Sequence, residues 1–165
     1  MQEDEFITVI EMHKGLLYKV ANVYCKYRED RSDLIQEIIF QLWRSFKNYN
    51  PQYQYSTWIY RIALNVAISF YRKNKEANSI LLTNEYLFNI PEHEPDTDQS
   101  DKLNLLNTFI AELRDLDKAI ILLYLEEKTH KEISEIMGIS ETNVGTKVSR
   151  IKQLLKQKFN LKDGN

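Results

Sequence analysis

Thr129 to Phe159, THKEISEIMGISETNVGTKVSRIKQLLKQKF, runs through a short amphipathic segment, a glycine and a longer basic amphipathic segment. That order predicts two helices meeting across a tight turn. Thr129 followed by Glu132 is a capping box, and the helix it starts places Ile133, Ile136 and Met137 on one face. Gly138 supplies the permissive backbone that a three-residue interhelical turn needs. Ser140 caps the second helix, whose Val144, Val148, Ile151 and Leu155 pack inward while Asn143, Thr146, Lys147 and Arg150 face outward. A helix-turn-helix offers such outward residues to base edges in the major groove. From Gly145 to Lys162 six basic residues (Lys147, Arg150, Lys152, Lys156, Lys158, Lys162) occur without an acidic one, a field that attracts phosphates. A solvated basic helix in a helical protein has the same composition.

Composition narrows the class. The 165 residues suffice for one ordinary domain or two small ones, and four Gly with three Pro indicate an all-α fold. No apolar run approaches the roughly 18 residues of a membrane span, and the start, MQEDEF, is acidic where a secretion signal is basic. A cytoplasmic protein is expected. Cys25 is the single cysteine, and His13, His93 and His130 are scattered, so neither an internal disulfide nor a metal site is expected, and no cofactor. The net charge of −2 is modest for a nucleic-acid binder, which implies segregation of charge along the chain.

That segregation divides the chain. Between Lys75 and Lys102 there is no Lys or Arg, while Glu76, Glu85, Glu92, Glu94, Asp96 and Asp98 fall there with Pro91 and Pro95. This is linker composition, and its second half, PEHEPDTDQSD, reads as disordered. The patch Ile80, Leu81, Leu82, Tyr86, Leu87 and Phe88 suits either docking on a partner or a helical turn. The expected organisation is thus a helical domain over 1–75, an acidic flexible linker over 76–100 and a helix-turn-helix domain over 101–165, with relative motion between two small units.

In the first domain Phe6, Val9, Ile10, His13, Leu16, Leu17, Val20, Ala21 and Tyr24 follow the spacing of a helix buried on one side. The next helix, with Ser32 in a cap position, carries Ile35, Ile38, Ile39, Leu42 and Phe46 as its core stripe. Leu34, Phe40 and Trp43 make it more apolar than one stripe requires, and Asp33, Glu37, Gln41 and Arg44 run along another face with Gln36 and Phe40 beside them. Surplus apolar surface flanked by carboxylates suits a protein docking site, although a tightly packed bundle looks the same. Tyr49, Tyr53, Tyr55, Trp58 and Tyr60 then cluster around a loop containing Pro51 and the start of a helix capped by Ser56. Flat side chains near cationic groups suit stacking with single-stranded nucleic acid. That helix buries Ile59, Ile62, Ala63, Val66 and Phe70, aligns Arg61, Asn65, Ser69 and Arg72 on the other side, and ends in Arg72, Lys73 and Lys75, a cluster that also suits the helix dipole.

Together DLIQEIIFQLWRSF, the aromatic loop running into STWIYRIALNVAISFYRK, and LDKAIILLYLEEKTHKEISEIMGISETNVGTKVSRIKQLL resemble conserved regions two and four of a small bacterial RNA polymerase sigma factor of the extracytoplasmic-function (ECF) type, in the sigma-70 family. The resemblance covers nearly the whole chain except the linker and termini. It implies a subunit that binds core RNA polymerase and directs promoter-specific initiation, with an anti-sigma factor as a further partner. Asp33, Gln36, Glu37, Phe40 and Trp43 match the family's polymerase-binding face. Tyr49, Tyr53, Tyr55 and Trp58 match the pocket for a flipped-out minus 10 base, and Arg61, Asn65, Arg72 and Lys73 the helix tracking promoter strands. Asn143, Thr146, Lys147, Ser149 and Arg150 fall where the family contacts minus 35 DNA, and the acidic linker resembles the connector through the polymerase channel.

The chain departs from the family at Gly145, where many relatives have Lys or Arg and where glycine costs the helix about 1 kcal/mol relative to Ala. Ser134 replaces a customary alanine, Leu64 a frequent Arg and Ser69 a frequent Asp. A stand-alone helix-turn-helix regulator of duplex operators is the competing reading, and it leaves the aromatic loop without a role. No glycine-rich phosphate loop or paired metal ligands suggest an enzyme.

Overall fold

The apolar repeat from Phe6 to Tyr24 is carried by two helices rather than one. In the computed structural model, which describes residues 1–81 and 98–163, α1 spans Gln2–Met12 and α2 spans Lys14–Tyr24, with His13 at the break. The His13 ring bonds back to the Val9 carbonyl at 2.8 Å. Phe6, Val9, Leu17, Val20, Ala21 and Tyr24 stay buried across the break, but His13, which the repeat places among them, is only half-buried.

Helix α3 spans Arg28–Ser45 and starts ahead of the expected cap, so Ser32 lies inside it. Glu29 and Asp30 in its first turn complement the positive end of the helix dipole. Leu34, Ile38 and Leu42 are fully enclosed, each worth about 1.5–3 kcal/mol in removed apolar surface, whereas Ile35 and Ile39 are half-buried. Leu34 is therefore core, and the surplus apolar surface of α3 reduces to Phe40 and Trp43, which are 53% and 44% exposed. A 3₁₀ turn, Phe46–Asn48, leads through the aromatic loop into α4, Tyr55–Leu81, which begins one residue before Ser56.

The second half comprises α5 (Asp98–Ala111), α6 (Asp115–Leu125), α7 (His130–Met137) and α8 (Glu141–Asp163). The helix-turn-helix forms as the residues dictate. Thr129 Oγ1 accepts from the Glu132 amide at 3.1 Å, Gly138 takes the left-handed conformation at φ 70°, and Ser140 Oγ accepts from the Asn143 amide at 3.1 Å. Val144, Val148, Ile151 and Leu155 are buried, as are Ile133 and Ile136. Ser134 donates its hydroxyl to the Ile139 carbonyl, tying the turn. Residues 82–97, with most of the acidic stretch and the apolar residues Leu82, Tyr86, Leu87 and Phe88, lie outside the described residues.

The buried residues of both halves join in one continuous core in this structure. Helix α4 is the shared wall. Its expected stripe packs on the first half, with Ile59 and Ala63 buried and Ile62, Val66 and Phe70 half-buried. It also encloses Tyr60, Leu64, Ala67 and Ile68. Helix α4 packs against α6 and α7 as well as α2 and α3, and Leu64 is buried in this core rather than exposed.

Glu127 is the one described non-glycine residue at positive φ (61°). It sits at the left-handed position of a helix-ending motif in which the Lys128 amide bonds the Leu123 carbonyl at 3.1 Å and the Glu127 amide bonds the Tyr124 carbonyl at 3.0 Å. A Cβ is strained there. Glu127→Gly is expected to stabilise the chain by about 0.5–1 kcal/mol in urea denaturation, whereas glycine normally destabilises a helical protein.

Candidate nucleic-acid interface

Three surfaces hold the residues singled out above. On α3, Asp33, Gln36, Glu37, Phe40 and Trp43 are all exposed and recur at helical spacing along one face. The Gln41 amide donates to the Glu37 carboxylate at 3.1 Å, and the Arg44 guanidinium lies 5.8 Å from the Phe40 ring centre. The Trp43 ring meets Phe6 edge-on at 5.1 Å, and Phe6 in turn meets Phe46 at 5.2 Å. The exposed indole is thereby anchored to the core and held in one orientation.

The second surface is the aromatic loop. An Asx turn at Asn50, whose side chain accepts from the Gln52 amide at 3.0 Å, reverses the chain before α4. This brings Tyr49 and Tyr55 into a stack at 4.4 Å and 18°, with Trp58 edge-on to Tyr49 at 5.4 Å. The Tyr49 hydroxyl donates to the Tyr53 carbonyl, and the Tyr55 hydroxyl donates to Glu5 of α1 at 3.2 Å. Burial first, then the bond to Glu5, push the Tyr55 phenol up. The Arg61 guanidinium lies 5.3 Å from the Tyr53 ring centre. A shallow cavity of about 500 Å³ opens beside the stack, lined by Tyr49, Tyr53, Tyr55 and His13, and a smaller one of about 160 Å³ lies between Asn48, Trp58 and Arg61. Tyr49, Tyr53, Tyr55 and Trp58 are half-buried, as a platform is; Tyr60 is buried under the second half.

The structure gathers this loop with Arg61 but not with the other basic residues of α4. Arg72 lies three turns along the helix, roughly 16 Å from Arg61 by helical rise. Asn65, Arg72 and Lys73 are exposed, yet Arg72 Nε pairs with Asp115 Oδ2 at 2.8 Å, and Arg61 donates to the Glu135 carbonyl of α7. Both arginines are held by the second half.

On the third surface, Asn143, Thr146, Ser149 and Arg150 are exposed on α8. The Thr146 hydroxyl donates to the Thr142 carbonyl at 3.1 Å. Lys147 is half-buried and lines a cavity of about 690 Å³ with Arg72, Arg114 and Asp115. A Cβ at Gly145 would stand 3.6 Å from the His130 ring, an ordinary contact, so packing does not require the glycine.

The seam between the halves contains residues that sequence reasoning missed. Lys118 is 2% exposed, its ammonium 4.1 Å from the Tyr71 ring centre and 5.7 Å from that of Tyr24. The Tyr24 hydroxyl donates to the Asp115 carbonyl at 2.7 Å, and Lys19 pairs with Glu126 at 2.7 Å. Lys118 lies in the run DKAIILLYL, where a cation on an apolar face was the available signal. No group of metal-binding side chains occurs among the described residues, and no helix there is long and apolar enough to cross a membrane.

Comparisons with known proteins assign both halves to one family. Residues 9–77 match the family model for sigma-70 region 2, and residues 103–155 match that for sigma-70 region 4. The chain is 31% identical to the RNA polymerase sigma factor SigV of Bacillus subtilis over 95% of its own length and 92% of the relative's. It is 25% identical to the ECF RNA polymerase sigma factor SigM of the same organism, over 92% and 93% of the two chains. Among solved structures it resembles CnrH in complex with the cytosolic domain of CnrY (TM-score 0.70, 16% identity, 96% of this chain and 90% of that one). It also resembles the sigma factor RpoE in complex with the anti-sigma factor NepR from Bartonella quintana (TM-score 0.67, 17% identity, 94% and 97%).

Burial, with a smaller contribution from the Glu126 carboxylate, pushes the Tyr60 phenol from 10.0 up to about 12. Burial and then Asp115 push Tyr24 up as well. A raised acid pKa stabilises the folded chain fully below pH 10, and that stability is lost as pH rises through about 12. Urea midpoints measured from pH 9 to 11.5 should therefore fall less steeply in Tyr60→Phe than in wild type; equal slopes would contradict a buried, neutral Tyr60. The matched regions, the relatives and the helical architecture agree, and the chain belongs to the sigma-70 family of RNA polymerase sigma factors, among those of the extracytoplasmic-function type.

Proposed function

We propose that the chain docks on core RNA polymerase through the α3 face of Asp33, Gln36, Glu37, Phe40 and Trp43, opens the minus 10 element with the aromatic loop and reads the minus 35 element with α8. As a sigma factor it directs promoter-specific initiation of transcription; the assignment of these steps to these residues is our reading. The observation that carries it is the braced stack of Tyr49 on Tyr55 beside Arg61, because a stacking platform next to a cation serves an unpaired base. A stand-alone regulator of duplex DNA has no use for that platform. On this reading residues 1–75 form the polymerase and minus 10 domain, 76–100 the acidic connector and 101–165 the minus 35 domain, all working in the cytoplasm.

Within α8, Arg150 offers forked donors and Asn143 a paired donor and acceptor for base edges, and Lys147, Thr146 and Ser149 fix the helix on the phosphates. Arg61 and Arg72 are engaged by α7 and Asp115, so the minus 10 surface becomes fully available only when the halves part. Lys73 and Asn65 stay exposed in the closed form. An anti-sigma factor is a fitting partner, since both structural relatives are complexes, one with an anti-sigma factor and one with the cytosolic domain of CnrY.

Stacking becomes available only after a base has left the duplex, so the loop should matter for melting rather than first contact. With holoenzyme reconstituted from the full chain, Tyr55→Ala should slow permanganate-detected melting at the minus 10 element by about tenfold while closed-complex formation changes less than about twofold, the loss matching one stacked base at roughly 1–3 kcal/mol. Melting at the wild-type rate would assign the loop to packing alone.

A further inference from the structure

The aromatic platform holds any base, because every base has a flat face. Choice among bases needs a polar group whose donor or acceptor role is fixed. The two phenols of the stack do not offer a free hydrogen: Tyr49 donates to the Tyr53 carbonyl and Tyr55 donates to Glu5. His13 lines the same cavity from the junction of α1 and α2, with its ring centre 6.4 Å from that of Tyr55.

The tautomer of His13 follows from its neighbour. Nδ1 lies 2.8 Å from the Val9 carbonyl oxygen, which can only accept, so Nδ1 carries the hydrogen. In the neutral imidazole Nε2 is then a lone-pair acceptor. The Nδ1 edge is committed to the backbone of α1, and Nε2 is the ring nitrogen left to take a partner. The apolar repeat made His13 a core position, but the ring is half-exposed and supplies a polar edge that core packing does not use.

We infer that His13 determines base preference at the pocket, its Nε2 accepting a hydrogen bond from a base that bears an exocyclic amino group, as cytosine and adenine do, and disfavouring a keto group in the same place. This rests on the reading of the loop as the site of a flipped-out base. A keto oxygen would set two acceptors against each other and leave both unsatisfied. The platform supplies affinity without selectivity, and the fixed acceptor supplies selectivity.

Cytosine and uracil separate the two, since they share shape and stacking and differ in the 4-substituent and N3. The test uses holoenzyme formed by the full chain on pre-melted promoters, so that pairing costs are equal, carrying cytosine or uracil in turn at each minus 10 position of the non-template strand. Wild type should form longer-lived open complexes with cytosine at one position, by about fivefold to tenfold, the range expected of one hydrogen bond. His13→Phe, which keeps a ring in place but has no acceptor, and His13→Ala should both reduce that preference below about twofold, with lifetimes on the uracil promoter no shorter than in wild type. An unchanged cytosine preference in both variants, or no preference in wild type at any position, overturns the inference. Tyr55→Ala in the same assay separates the two claims: if it loses open complex while the His13 variants keep the preference, the pocket stands and the role of His13 falls, and if it behaves as wild type the pocket itself falls.

Discussion

A lysine buried between two tyrosines lies at the seam where the two halves of this chain meet. Removing the Lys118 ammonium from water costs several kcal/mol, and the faces of Tyr71 and Tyr24, each worth about 0.5–2 kcal/mol, offset part of it. Around it Arg72 with Asp115, Lys19 with Glu126 and the Tyr24 hydroxyl on the Asp115 carbonyl complete a seam rich in polar groups. Such a seam adds the polar pairings of an interdomain contact to the apolar core that the halves share. Its polar groups regain water on separation, so closure is bought with pairings that opening can replace.

The same contacts decide which surfaces the closed chain presents. The α3 residues proposed to face polymerase and Asn143, Thr146, Ser149 and Arg150 of α8 remain outside the seam, while Lys147 lines the cavity beside Arg72 and Asp115, and Arg61 and Arg72 are held by the second half. On the proposed reading, docking on polymerase uses a surface that is already exposed, and tracking the opened strands calls for the halves to part.

Local chemistry was legible in the sequence wherever a residue's role depends on its neighbours in the chain. Thr129, Gly138 and Ser140 cap and turn the helix-turn-helix as their side chains dictate, and the inward stripe of α8 is buried throughout. The clustering of Tyr49, Tyr53, Tyr55 and Trp58 predicted a platform, though not that Glu5 and Tyr53 fix its hydroxyls. What depends on contacts across the chain was hidden. Tyr60, Leu64, Ala67 and Ile68 form a second buried stripe on α4 whose partner lies more than fifty residues away, and periodicity counts apolar positions without naming what covers them. Leu34 read as surplus for the same reason, and His13 read as core because its spacing matched a helix that in fact breaks there.

The central claim, that the halves close in the free chain and part on promoter-bound polymerase, is open to one distance measurement. Cys25 is buried and its thiol is pushed up to about 11, first by burial and then by Asp30, so it resists labelling and leaves introduced cysteines as the reactive sites. Spin labels at Ser69→Cys on α4 and Lys131→Cys on α7 span the seam from exposed positions. Double electron–electron resonance should give one short, narrow distance in the free chain and a longer one in the open complex with core polymerase and promoter DNA. The same short distance in both states would contradict the account.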